Sequence, residues 1–118
     1  TCEHITMHNG FLYASVYNGT QWQVWRFSED VDPIAFVGNA HNFVILDDVM
    51  YFEQSGESDL FAMNMNGSST KRISLAFELP SSNQALRFIV GDSFVAIKGT
   101  GGAIYLYSPD DESIVKLP

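Results

Sequence analysis

Short apolar segments separated by polar turns follow one another along the whole chain. Segments such as 49–52 (VMYF) and 60–63 (LFAM) are apolar at consecutive positions, and the chain is rich in aromatic and branched side chains, a composition that favours strands. No segment carries apolar residues at positions i, i+3, i+4 and i+7 over several turns, so the pattern gives little support for helices. The chain is therefore predicted to be all-β.

The pattern of strands and turns repeats three times. The segments 23–38, 59–74 and 103–118 align without a gap, so that Val24, Leu60 and Ile104 share one position. A pair of strands joined by a tight polar turn precedes each of these segments. Each unit therefore has four short strands, and the units span approximately residues 4–38, 42–74 and 86–118 of a single domain, 1–118.

Four antiparallel strands in a repeat of about 40 residues are typical of a β-propeller blade. Strands that are apolar at consecutive positions support this interpretation, because a strand whose sheet is covered on both faces needs no polar alternation. Propeller blades pack face to face and cover one another in this way. A two-sheet sandwich could also hold twelve strands, but it would not explain the repeat.

The segment 50–74 resembles the repeats of TolB-like and YWTD-like propellers. The residues that match are Tyr51, Phe52, Leu60, Phe61, Met63, Asn64, Asn66, Gly67, Ser68 and Ile73. The other two units depart from the motif, with SEDVDP at 28–33 and SPDDES at 108–113 in place of the Asn-x-Asn-Gly-Ser turn. The motif sets a turn and a core, so the resemblance implies a propeller fold and no particular chemistry.

Three blades are fewer than the roughly four to eight that close known propellers. The outer faces of the first and third units are expected to be as apolar as the covered ones, and an array without polar caps should not stay monomeric. Either the chain is a segment of a longer propeller, or a second copy completes a six-bladed ring by head-to-tail contact of blade faces. We expect the second arrangement, a homodimer formed by self-association.

The charge balance argues against two classes of partner. Six Lys and Arg stand against 14 Asp and Glu, a formal net charge of −8, so the basic surface that nucleic acids or anionic membranes require is missing. No apolar segment approaches the roughly 18–20 residues of a transmembrane helix. We expect neither nucleic-acid binding nor membrane insertion. The single cysteine, Cys2, cannot form an internal disulfide, and the compartment stays open, with an extracellular or cell-envelope location favoured.

Candidate binding residues lie in loops, because the strands carry few reactive side chains. They are Tyr17, Asn18 and Trp22 in a hairpin loop, and His41, Asn42 and Phe77 in or beside the connections between units. Aromatic rings beside amide groups suit sugar or peptide binding. Alternatively, Trp22 packs beside Trp25 or covers a blade edge, and the long connection 75–85 is a tolerated insertion or a dimer contact.

Motifs for metal binding or catalysis are missing. The histidines His4, His8 and His41 could suggest a metal site. However, His4 and His8 are four residues apart, which on a strand separates them by about 13 Å, too far for joint ligation of a metal ion. The Asn-Gly pairs at 18–19 and 66–67 match glycosylation acceptors, but they are also typical of tight turns, the role that we favour. No catalytic residue, metal site or cofactor is predicted.

The expected function is therefore a non-catalytic binding module that recognises a protein, peptide or glycan through one loop face. The alternative is a segment of a propeller enzyme, a hydrolase or lyase, whose active site needs residues outside this chain. An enzyme should gather polar groups at a channel mouth, whereas the predicted first strands are mainly apolar.

Overall fold

The computed structural model of the chain describes residues 2–54, 57, 59–75, 88–99 and 102–118, and these form twelve strands without an α-helix. The strands are β1 Cys2–His8, β2 Phe11–Tyr17, β3 Trp22–Phe27, β4 Ile34–Gly38, β5 Ala40–Leu46, β6 Val49–Gln54, β7 Leu60–Asn64, β8 Lys71–Ile73, β9 Phe88–Val90, β10 Val95–Lys98, β11 Ile104–Ser108 and β12 Ser113–Lys116. The prediction of an all-β chain is confirmed. Nowhere in these residues is there a helix long and apolar enough to cross a membrane.

The strands form three four-stranded sheets, in each of which neighbours along the chain pair antiparallel. Sheet 1 has the order β1-β2-β3-β4, sheet 2 the order β5-β6-β7-β8, and sheet 3 the order β9-β10-β11-β12. The three predicted four-stranded units are thus confirmed. Over the described ranges the sheets do not close into a ring.

Polar residues in left-handed backbone conformations make the tight turns. The β5–β6 turn places Asp47 at a φ of 50° and Asp48 at 60°, a region that aspartate tolerates better than most residues do. In the β7–β8 turn Gly67 has a φ of 87°, and the side chain of Asn66 accepts a hydrogen bond from the Ser68 N–H at 2.9 Å. This Asn-Gly pair therefore has the turn role that the sequence predicts.

Both faces of sheet 2 are buried. Towards sheet 1 it presents Phe43, Ile45, Met50, Phe52, Phe61 and Met63, and towards sheet 3 the alternate residues Val44, Leu46, Val49, Tyr51, Leu60, Ala62 and Ile73. Successive side chains of a strand point to opposite faces, so a strand that is covered on both must be apolar at consecutive positions. This is the physical reason for the apolar runs in the sequence.

Tyr51 lies in the close contact between sheets 2 and 3. Its ring meets that of Tyr107 edge to face, with 6.0 Å between the centroids. Burial, and secondarily the neighbouring Tyr107, raises the pKa of Tyr51 to about 12, because the charged phenolate is poorly solvated there. The phenol of Tyr51 is thus poorly accessible to water at this contact.

The outer face of sheet 3 is apolar and exposed. By the repeat alignment, Ile104 and Leu117 correspond to Leu60 and Ile73 of sheet 2. Leu60 and Ile73 are 0% and 8% exposed beneath sheet 3, whereas Ile104 and Leu117 are 36% and 40% exposed. Sheet 3 therefore carries on its outer side the kind of face that sheet 2 buries.

The outer face of sheet 1 is also apolar, but it is built from different residues. Trp25 and Phe27 alternate with the buried Val24 along β3, and their rings stack with centroids 6.4 Å apart. Their counterparts in the alignment are Phe61 and Met63, which sheet 2 turns towards sheet 1. The two ends of the array thus resemble the two opposite faces of sheet 2.

We expect Leu60→Ala to lower the free energy of unfolding by about 2–5 kcal/mol, since it leaves a cavity at a fully buried position between sheets 2 and 3. Urea unfolding followed by circular dichroism measures the change. Val31→Ala, at a turn position that is 57% exposed, is the control and should cost less than about 0.5 kcal/mol. Equal losses for both variants would contradict the buried position of Leu60.

Candidate functional site

The buried polar residues gather at one end of sheets 1 and 2. At this end lie the β2–β3 hairpin loop, the β4–β5 connection and the first residues of β1 and β5, because Cys2 pairs with Val16 and Gln23 pairs with Gly38. We call this end the rim, and it comprises Glu3, His4, Ser15, Tyr17, Trp22, His41, Asn42 and Glu53. Among the residues that the structure describes, all four buried polar or charged side chains belong to it.

Two β-bulges shape the rim. The register shifts by one residue between Glu3 and Thr6 in β1, and again between Ala40 and Phe43 in β5. Within the first bulge His4 has a φ of 50°, a conformation that is uncommon for any residue other than glycine. A bulge re-aims side chains. Glu3 and His4, which would point to opposite faces of a regular strand, are thereby brought into one cluster.

Glu3 and His4 meet His41 of the neighbouring sheet. The Oε1 atom of Glu3 lies 2.7 Å from Nε2 of His41 and 3.9 Å from Nε2 of His4. One nitrogen or oxygen atom from each of the three residues lies within 4.8 Å of the other two. Spacing along one strand relates His4 only to His8, so it gives no sign of the pairing of His4 with His41 across two sheets.

An aromatic stack covers this cluster. The indole of Trp22 lies flat on the imidazole of His41, with centroids 3.7 Å apart and an angle of 12° between the planes. The ring of Tyr17 follows at 5.4 Å from that of Trp22. Tyr17 is 40% exposed and His41 is 2% exposed. The stack therefore leads from solvent to a buried imidazole.

Hydrogen bonds hold the β5 bulge in place. The Ser15 hydroxyl donates to the backbone carbonyl of His41, and Nδ2 of Asn42 donates to the carboxylate of Glu53. All four side chains are buried. In the described part of the chain, Oδ1 of Asn42 is the one buried side-chain oxygen or nitrogen without a hydrogen-bond partner. Buried polar groups are normally paired, so this oxygen is an exception within an otherwise satisfied network.

The six predicted binding residues have different environments. Tyr17 and Trp22 are accessible residues of the rim, whereas His41 and Asn42 are buried. Phe77 falls outside the described residues. Trp22 stacks on His41 of the neighbouring sheet and so covers the junction between sheets 1 and 2, an arrangement that neither packing alternative for Trp22 describes.

Asn18 has a structural role in the hairpin loop. Its Oδ1 accepts hydrogen bonds from the backbone N–H groups of Thr20 and Gln21, both at 2.9 Å. Gly19 completes the turn with a φ of 98°. The side-chain oxygen of Asn18 is therefore engaged in shaping the loop that carries Tyr17 and Trp22.

The opposite end of sheets 1 and 2 offers a simpler arrangement. There Nε2 of His8 lies 2.8 Å from Oδ1 of Asp48. Within the described ranges no third histidine, cysteine or acidic side chain completes a metal-binding group with this pair. It resembles the pair of His41 with Glu3, and it serves below as an internal comparison.

Neither the protein-family models nor the curated proteins give a match to this chain. Its function is accordingly inferred from the residues of the rim.

We expect Asn42→Ala to destabilise the protein by about 1.5–3 kcal/mol, because it removes a hydrogen-bond donor from the carboxylate of Glu53, which is 3% exposed. Chemical unfolding measures the loss. Asn66→Ala, which removes an exposed turn contact, should cost less than about 1 kcal/mol. A smaller loss for Asn42→Ala than for Asn66→Ala would show that the buried pair adds nothing to stability.

Proposed function

We propose that the chain is a non-catalytic binding module built of β-propeller blades, and that it recognises a protein, peptide or glycan through the rim. The observation that carries this proposal is the aromatic pair Tyr17 and Trp22 beside the junction of two sheets. Both residues belong to one hairpin whose turn is fixed by Asn18. Such a surface needs little reordering when a ligand docks.

The chemistry of the rim suits ligands that combine apolar patches with hydrogen-bonding groups. Aromatic rings offer a large apolar face at low entropic cost, and the tyrosine hydroxyl and indole N–H add polar contacts. Trp22 is supported from below by His41, which fixes the plane of the indole. Sugar rings and extended peptides present alternating apolar and polar surfaces that the rings of Tyr17 and Trp22 can bind.

An array of glycans and peptides tests this proposal. We expect a defined set of ligands to be retained by the wild-type chain and to bind Tyr17→Ala at least about tenfold more weakly, equivalent to about 1.4 kcal/mol. Val31→Ala, which changes an exposed side chain in the β3–β4 turn, should bind like the wild type. The proposal fails if no class of ligand is retained, or if both variants bind equally well.

We also propose that a second copy of the chain completes the array of blades. The supporting observation is that the outer face of sheet 3 carries the counterparts of Leu60 and Ile73, while the outer face of sheet 1 carries those of Phe61 and Met63. Inside the chain, a face of the first kind packs on a face of the second kind wherever two sheets meet. Head-to-tail contact between two copies would cover all four exposed faces in a closed ring.

Native mass spectrometry and light scattering test this assembly, and both should give the mass of two chains at micromolar concentration. Ile104→Lys places a charge on the outer face of sheet 3, at the position equivalent to Leu60, which is fully buried where sheets 2 and 3 meet, and should shift the population to single chains because the charge would have to be buried. The matched control is Val31→Lys, which should remain a dimer. A wild-type mass equal to one chain, or a dimer that tolerates Ile104→Lys, would overturn the proposal.

A further inference from the structure

We propose that Glu3, His4 and His41 form a binding site for a divalent transition-metal ion, with Zn²⁺ as the representative. These residues belong to the same rim, but the proposed recognition of a protein, peptide or glycan rests on the rings of Tyr17 and Trp22, whereas the metal site rests on the nitrogen and oxygen atoms of Glu3, His4 and His41. It joins sheet 1, which supplies two ligands, to sheet 2, which supplies the third.

The donor set is the first argument. Two imidazole nitrogens and one carboxylate oxygen are a combination that Zn²⁺ binds well, and one that hard ions such as Mg²⁺ and Ca²⁺ do not favour. The two Nε2 atoms lie 2.7 Å and 3.9 Å from a common oxygen of Glu3. The three side chains thus already converge on one small volume.

The spacing is the second argument. The three candidate ligand atoms lie within 4.8 Å of one another. Ligands at about 2.0–2.2 Å from a tetrahedral zinc ion are separated by roughly 3.3–3.5 Å. Binding one ion therefore requires the widest of these separations to shorten by up to about 1.3 Å and the 2.7 Å contact between Glu3 and His41 to lengthen by about 0.6 Å. A set of three protein ligands also leaves a fourth position for water.

The surrounding structure is the third argument, because it holds the ligands in position. The left-handed backbone of His4 lies within the β1 bulge and sets its side chain beside Glu3. Trp22 stacks on the ring of His41, and Ser15 donates to the backbone carbonyl of the same residue. Supporting contacts of this kind orient ligands in protein metal sites.

Isothermal titration with ZnCl₂ tests the site in the untagged chain. The background carries Cys2→Ser, so that the exposed thiol cannot bind the metal. We expect one Zn²⁺ per chain and a higher melting temperature at saturating zinc than in EDTA, because an ion that binds only the folded state stabilises it. In a Trp25→Phe background the fluorescence of Trp22 should change with the same stoichiometry, since its ring stacks on a ligand.

Substitutions identify the ligands. Glu3→Gln and His4→Ala should each weaken zinc binding by at least about tenfold, equivalent to about 1.4 kcal/mol. Glu3→Gln is chosen because the Glu3 side chain is 48% exposed and its amide replacement is nearly isosteric, so this variant should keep the fold. The matched control is His8→Ala, which removes the imidazole of the pair with Asp48 at the other end of β1 and should bind zinc like the wild type.

Three results would overturn the metal site. The first is that a large excess of zinc produces no heat of binding, no change in fluorescence and no shift in melting temperature. The second is that His8→Ala and His4→Ala lose the same zinc affinity. The third is that Glu3→Gln binds zinc as tightly as the wild type. A failed ligand array with intact zinc binding would count against the proposed recognition function alone. Retained ligands without zinc binding would count against the metal site alone.

Discussion

The burial of sheet 2 between its two neighbours is the constraint on which the other features depend. Strand β5 contacts β1, β2 and β3 on one side and β9 on the other, so any polar group near its beginning is removed from water. A buried polar group must find a partner or it costs stability. His41 and Asn42 find theirs in Glu3 and Glu53, and the polar network of the rim follows from this requirement.

The bulges in β1 and β5 occur at matching places in the repeat. In the alignment Glu3 and His4 correspond to His41 and Asn42, 38 residues further on. Because the same irregularity occurs in two sheets that pack together, two pairs of polar residues come close at one end of their contact. Different residue types at equivalent positions then provide acid, imidazole and amide groups within one cluster.

Much of the fold could be predicted because it depends on features that a sequence carries directly. The consecutive apolar positions 49–52 and the Asn66-Gly67 turn follow from strand alternation and from glycine geometry. The cluster could not be predicted in the same way. A histidine with a positive φ goes against local preference, and the stack of Trp22 on His41 depends on how two sheets pack. The estimate of about 13 Å between His4 and His8 assumed a regular strand, whereas the relevant neighbour of His4 lies in another sheet.

The unlike outer faces of sheets 1 and 3 have a consequence for the lifetime of an assembly. In a ring of two copies the contact between sheet 3 of one copy and sheet 1 of the other occurs twice. Once the first contact has formed, the second closes within a single particle, at an effective concentration set by the geometry of the chain and independent of dilution. Dissociation then requires both contacts to be open together, so each contact can be weak by itself while the ring exchanges subunits slowly.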